Sequence, residues 1–378
     1  MPEAHAARRA RLAARVGECG ADAALITHLI NVRYLTGLAS SNAAVLVVTG
    51  AAGPQGAPSA VLATDTRYAL TARRCCPDVE LITERNVAAS LVALAARRGL
   101  RRILFEAHVV TVEEHAALVD DTSCAAADAA SAAGVELAPL GRQVEELRMA
   151  KDAEEIAAIR HACGLSCEAL GQVLPSIRPG ITEKQLAVAL ERRMVDLGAD
   201  KPGFATIVAS GPNSAIPHHV PADRPLSHGD LVTIDFGACY AGYHADMTRT
   251  IAIGEPATWQ RDLHELVAAA QRAGMAAVRH GAHVARVDAA ARDLIVEAGH
   301  GEHFGHGLGH GVGLEIHEAP LMHHDGTGTL GDRVSVTVEP GVYLQGLGGV
   351  RIEDTLVVRA GTEPAELLTT TTKELLVV

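Results

Sequence analysis

Seven of the nineteen histidines fall between residues 300 and 324, and three share one phrase, His306-Gly-Leu-Gly-His310-Gly-Val-Gly-Leu-Glu-Ile-His317. Carboxylate pairs flank it, Asp235 with Asp246 on one side and Glu339 with Glu353 on the other. Both pairs are symmetric in number. Asp235 and Asp246 are centred on Tyr240/Ala241, and Glu339 and Glu353 on Gly346, within the Gly-rich Gln345-Gly-Leu-Gly-Gly349. A tight hairpin about each centre would set the two acids of a pair opposite one another, on one face of adjacent strands. A helical stretch precedes each pair, residues 152–197 before the first and 258–299 before the second. The layout therefore predicts two half-domains of similar plan, each giving one carboxylate hairpin to a shared cleft, although the halves share little residue identity.

Four carboxylates converging without cations would repel one another and take up protons. Two divalent ions bring the formal charge of the cluster to zero, so the acids make sense as ligands. Oxygen-rich coordination with a single histidine suits Mn²⁺, Co²⁺ or Fe²⁺, accommodates Zn²⁺ and excludes metals that demand thiolates. Paired ions about 3.5–4 Å apart are equipment for hydrolysis. Taken singly, an Asp-Phe-Gly or a hairpin glutamate is usually structural, and a glycine-histidine run can be a flexible loop. The conjunction, in hairpins of matching symmetry, points to a site.

The rest of the chain sets bounds. Its 378 residues are enough for two domains. With aromatics at 3%, the cores must be built from Ala, Val and Leu. A net charge of −12 without a dense Lys/Arg block argues against a nucleic-acid surface. The basic N-terminus is followed by no apolar h-region, and no apolar run reaches the length of a membrane span, so the expectation is a cytoplasmic protein. Seven scattered cysteines make no disulfide framework; Cys163 and Cys167, one helical turn apart, read as buried small hydrophobes.

The first part alternates as an α/β unit: helix Glu3–Cys19, strands Ala23–Ile26, Ala44–Val48 and Ala60–Ala63, a Gly/Pro loop Gly50–Pro58, a helix near Val87–Arg98, strand Arg102–Phe105 and an Ala-rich helix over 111–133. A boundary falls near Leu140–Lys151. Beyond it, Asp152–Leu174 and Thr182–Leu197 have helical apolar spacing, the second opened by the capping box Thr182-Glu-Lys-Gln185. Strands follow at Ala205–Ser210 and Asp230–Gly237.

Several motifs together resemble the pita-bread metallopeptidases. They are Ile207-Val-Ala-Ser-Gly-Pro-Asn-Ser-Ala-Ile-Pro-His218, Asp235-Phe-Gly, Gly242-Tyr-His-Ala-Asp246-Met-Thr-Arg-Thr250, His306-Gly-Leu-Gly-His310, Val338-Glu339-Pro-Gly and Val350-Arg-Ile-Glu353-Asp. More narrowly they are similar to the Xaa-Pro aminopeptidase and Xaa-Pro dipeptidase (prolidase) branch. The resemblance implies an α+β pita-bread domain over residues 146–378. Before it, residues 1–145 resemble an α/β creatinase-type domain, marked by Tyr34-Leu-Thr-Gly and Ala63-Thr-Asp-Thr-Arg-Tyr68. Carried over residue by residue, the resemblance makes Asp235, Asp246, His310, Glu339 and Glu353 the ligands of two divalent ions, Mn²⁺ foremost. Asp246 and Glu353 would bridge, Asp235 would chelate one ion, and His310 and Glu339 would complete the other. It makes Glu339 a proton acceptor and His218 and His317 substrate contacts that stabilise the tetrahedral intermediate. His306, Tyr343 and Arg351 match supporting and proline-pocket positions. It also implies a homodimer.

Other histidines read blandly: His219 pointing away from His218, His244 peripheral, and His300, His303, His323 and His324 at the surface or in loops. The leading function is a Xaa-Pro aminopeptidase acting on peptides with proline second. The alternative is a Xaa-Pro dipeptidase, which must also hold the free proline carboxylate. Some prolidases resembling this chain place an arginine where it has Leu321, which tilts the reading to the aminopeptidase. Methionine aminopeptidases usually lack residues like 1–145. A relative acting on a small non-peptide amide, such as creatinase or ectoine hydrolase, ranks below both, because creatinases lack the metal ligands and this chain retains all five; a non-catalytic binding protein of this fold has typically lost them.

Overall fold

In the computed structural model, which describes residues 2–50, 59–119 and 134–378, the chain divides into two units, Met1–Arg148 and Met149–Val378. In the first, Ala23–Ile26, Ala43–Val48 and Ala60–Thr64 are short apolar runs buried at every position, as strands covered on both faces must be. They centre a six-stranded mixed sheet ordered Glu80–Thr83, Ala60–Thr64, Ala43–Val48, Ala23–Ile26, Arg102–Phe105, Glu136–Pro139. The helices expected near the start and near residue 90 are Pro2–Glu18 and Val87–Arg97. The two outer strands escaped the sequence pattern because neither carries a fully buried residue. The helix expected over 111–133 is seen over 112–119; the rest of it, and residues 51–58 of the Gly/Pro loop, lie outside the described residues.

The second unit repeats one plan. Helix Ala153–Val173 starts at Asp152, whose carboxylate accepts from the Glu154 and Glu155 amides while Glu155 accepts from the Asp152 amide. Thr182 and Gln185 cap Glu183–Asp196 in the same way, each cap contributing about 1 kcal/mol. The buried faces of these helices share a core with Val232, Ile234 and Phe236. Beside them Ile207–Ser210, Leu231–Phe236 and Met247–Ala252 are successive antiparallel neighbours. The second half follows suit. Helices Thr258–Ala277 and Val284–Glu297 pack with Val336, Val338 and Leu356, beside the antiparallel strands Gly309–Gly311, Ser335–Val338 and Asp354–Val357. No helix among the described residues is long and apolar enough to cross a membrane.

The two hairpins differ in register. In the second, Gly341 pairs with Arg351, Leu344 with Gly348 and Val338 with Asp354, all centred on Gly346, so Glu339 and Glu353 stand opposite as expected. In the first, Tyr240 pairs with Tyr243 and Asp235 with Thr248, so Asp235 does not face Asp246. This corrects the expected centre at Tyr240/Ala241: it lies between Ala241 and Gly242. The cause is the turn. Ala241 and Gly242 both have positive φ, 50° and 82°, giving a two-residue turn whose twist matches the strands it joins. The slip is by two partners, so parity is kept and Asp246 stays on the Asp235 face, set diagonally.

Candidate active site

Strand ends and loops of the second unit surround a cavity of about 530 Å³. Asp235, Asp246, His310, Glu339 and Glu353 line it, as do His218, His306, His317, Tyr343 and Arg351. All ten residues singled out in the sequence therefore meet in one place. Gly309 and Gly311 let the strand bearing His310 press between its neighbours. A Cβ on either would lie 2.1 Å from the Thr337 carbonyl oxygen or 2.2 Å from that of Ala319.

At the floor, His310 Nδ1 is 2.9 Å from the Gly311 carbonyl oxygen. A carbonyl can only accept, so Nδ1 carries the proton and Nε2 presents a lone pair. That lone pair faces Glu339 Oε1 at 3.3 Å and Asp246 Oδ2 at 3.5 Å. Three acceptors facing one another require a proton or a cation among them. Burial holds the His310 imidazole below its ordinary pKa, which opposes a second proton there. Burial, and then repulsion from the neighbouring carboxylates, raises Asp246 and Glu353 well above the usual carboxylate range. Burial pushes Glu339 up to about 8.

Each acid is anchored from behind. Thr248 Oγ1 donates to Glu353 Oε2 at 2.7 Å, Thr337 Oγ1 to Glu339 Oε1 at 3.2 Å, and Arg351 to Asp235 Oδ2 at 2.7 Å. Asp235 Oδ1 and Glu353 Oε1 are buried and find no hydrogen-bond partner among the described residues. Ligand atoms of Asp246, His310 and Glu353 all lie within 4.8 Å of one another. Orphaned carboxylate oxygens, acids driven toward protonation and an inward imidazole lone pair fit hard or borderline divalent cations.

Beside this cluster runs a second polar chain. His306 Nδ1 donates to the Gly307 carbonyl at 2.8 Å, leaving Nε2 to accept from the Tyr343 hydroxyl at 3.0 Å. The same Tyr343 oxygen accepts from Arg351 at 2.8 Å, and Arg351 also donates to Pro217 O at 3.3 Å. Burial lowers His306 to about 4, which keeps it neutral near pH 7. The His317 ring lies 4.4 Å from that of His310.

His219 turns away from the cavity and bonds Glu183 Oε2 at 2.7 Å, and His244 donates to the Gly313 carbonyl. His323 lies in a loop, as expected, and that loop reaches the cavity, while His303 lines a smaller hollow with His218 and His306. Neither had a local signal that set it apart. Sequence reasoning also missed the apolar wall of Phe204, Ile316 and Met322, where Leu321 joins it. The hydroxyls of Thr248 and Thr337 were visible only as members of strands.

Proteins of known family resemble this chain over most of its length. The family model described as "Metallopeptidase family M24" matches residues 157–360, and "Creatinase/Prolidase N-terminal domain" matches residues 8–150. An uncharacterized peptidase of Bacillus subtilis (strain 168), YqhT, is 38% identical over 346 residues, 90% of this chain and 92% of its own. Among solved structures, the Xaa-Pro dipeptidase from Bacillus anthracis superimposes with a TM-score of 0.90 at 34% identity, covering 99% of this chain and 100% of that one. The X-Pro aminopeptidase from Thermotoga maritima MSB8 gives a TM-score of 0.85 at 33% identity, covering 98% and 99%.

Proposed function

The chain belongs to metallopeptidase family M24, and from that premise we propose that it is a two-metal exopeptidase hydrolysing the Xaa-Pro bond at peptide N-termini. One observation carries this reading: the His310 lone pair faces two carboxylates inside a buried cluster that two divalent cations would neutralise. Asp235, Asp246, His310, Glu339 and Glu353 would hold the ions, with Mn²⁺ the first candidate for so oxygen-rich a set. Bound there, the ions supply Lewis acidity and activation of the attacking water.

The chain's own residues do the rest. Glu339, its carboxylate held by the Thr337 hydroxyl beside His310, takes the proton of the water and delivers it to the leaving imino nitrogen. His218 and His317 line the cavity as donors for the oxyanion that develops on the carbonyl before proline. Tyr343 and Arg351, fixed to each other and to His306, form a stiff wall against which a proline ring can rest.

Leu321 supports an aminopeptidase over a dipeptidase. It lines the cavity, and Arg351, the lone arginine or lysine in that lining among the described residues, is already committed to Asp235 and Tyr343. The carboxylate of a free Xaa-Pro dipeptide would find no uncommitted guanidinium or ammonium there. The name of the Bacillus anthracis relative favours the second reading, a Xaa-Pro dipeptidase. Hydrolysis of Ala-Pro-Ala and Ala-Pro, with Mn²⁺ and with a chelator, decides. Metal-dependent cleavage of the tripeptide supports the aminopeptidase, cleavage of the dipeptide alone the dipeptidase. Cleavage of neither with metal bound overturns both.

A further inference from the structure

The two cavity histidines read as oxyanion donors, His218 and His317, stand on loops, and behind each loop lies a buried carboxylate. Behind His218 it is Glu183, which accepts from the neighbouring His219 and from the Ala222 amide at 3.0 Å. Behind His317 it is the adjacent Glu318, and this carboxylate is paired with a lysine. Lys151 Nζ donates to Glu318 Oε2 at 3.0 Å, with the two side chains only 1% and 5% exposed.

A buried ion pair is a poor stabilising device, because desolvating both charges offsets most of their attraction, and apolar replacements of similar volume are often as stable. Its geometry suggests another use. The other oxygen of Glu318 accepts from the Glu315 amide at 2.9 Å, closing Glu315–Glu318 into a small ring that carries Ile316 and His317 to the cavity. The lysine end is equally fixed: the Lys151 amide donates to Arg333 O at 3.0 Å, and Ala150 bridges Val334. At the start of the loop, the Gly313 carbonyl accepts from both the backbone and the ring of His244, each at 2.9 Å.

We propose that the Lys151–Glu318 pair is a positioning device that holds the His317 imidazole in line with the reacting carbonyl. Neither Lys151 nor Glu318 lines the cavity, so both act through His317. The inference rests on the reading of His317 as a substrate contact. Displacement of a catalytic group by about 1 Å can cost about a hundredfold in rate, which is the scale on which such a tether matters.

The test is kcat and KM on Ala-Pro-Ala for Glu318→Gln and Gly313→Ala, each with His317 present and in a His317→Ala background. A Cβ at Gly313 would lie 2.9 Å from both Glu318 oxygens, so Gly313→Ala displaces the carboxylate while keeping both charges. Either change should lower kcat about tenfold or more with KM held within about twofold, and cost less than about twofold once His317 is gone. An equal loss in both backgrounds, or an undiminished kcat, overturns the proposal. Should Glu318→Gln fail to fold, Gly313→Ala decides alone. Absence of turnover by the unsubstituted protein counts against the proposed function only. The tether is then judged from crystals of Gly313→Ala, where a displaced His317 ring supports it and an unmoved ring overturns it.

Discussion

The two carboxylate hairpins are built on one plan, yet one keeps the pairing that its numbering suggests and the other does not. Around Gly346, three residues join Leu344 to Gly348, and the acids stand opposite. Around Ala241 and Gly242, only two residues join Tyr240 to Tyr243, and Asp246 is carried diagonally from Asp235. Turn length and turn conformation set register; symmetry of the charged residues does not. The diagonal placement separates the roles of the two aspartates. Asp246 moves to the buried centre with His310 and Glu353, while Asp235 remains beside Arg351.

If Asp246 and Glu353 are the central pair, one from each hairpin, they should fail alike. Asp246→Asn and Glu353→Gln are each expected to lower kcat on the order of a thousandfold or more and to lose bound metal, while the chain still folds. Metal analysis and circular dichroism beside the assay check this. Full activity in a metal-free Asp246→Asn protein would end the assignment.

The difference between the hairpins is sharpened by one glycine from each. A Cβ on Gly237 would fall 1.8 Å from the Ala245 carbonyl oxygen, where the hairpin passes from one sheet to another. A Cβ on Gly346 meets open space and is opposed only by a φ of 79°. Gly237→Ala should therefore destabilise by about 3 kcal/mol or more and Gly346→Ala by about 1 kcal/mol, read from denaturant midpoints. Equal losses would mean that the Ala245 carbonyl does not press on Gly237 as closely as this.

Metal removal tests what both hairpins bring together. In the stripped protein Glu339 has its pKa raised to about 8 from a carboxylate's ordinary 4.5, so the folded state holds a proton that the unfolded state releases. Its contribution to stability is present below the unfolded pKa and is lost as pH rises from about 4.5 to about 8. The melting temperature of chelated protein should fall across that window, and the gain on adding Mn²⁺ should widen. A gain independent of pH would show that the ions bind elsewhere. The smallest effect is expected at Ala241, an alanine in the left-handed region. Ala241→Gly relieves that strain and should stabilise by about 0.5 kcal/mol, visible as a small rise in melting temperature.

Much of this was legible in the sequence, for identifiable reasons. The strand Ala23–Ile26 and the capping boxes at Asp152 and Thr182 are local patterns, and local patterns determine local structure. The cavity residues are spread over more than a hundred positions, yet the motif spellings identified them. What stayed hidden depends on partners far along the chain. Lys151 and Glu318 meet across 167 positions, and nothing near either residue announces the other. The outer strands Glu80–Thr83 and Glu136–Pro139 carry mixed, half-exposed side chains that resemble loop sequence until a neighbour pairs with them.

The repeat His306-Gly-Leu-Gly-His310-Gly holds two imidazoles in the same tautomer, each giving its Nδ1 proton to the carbonyl of the following glycine. One presents its lone pair to the Tyr343 hydroxyl and the other to the carboxylate cluster. In nitrogen-15 spectra they form a matched pair within one molecule. Titrating in a diamagnetic cation such as Zn²⁺ should move the His310 Nε2 resonance and leave that of His306 nearly still, so the chain carries its own internal standard for occupancy of the cluster.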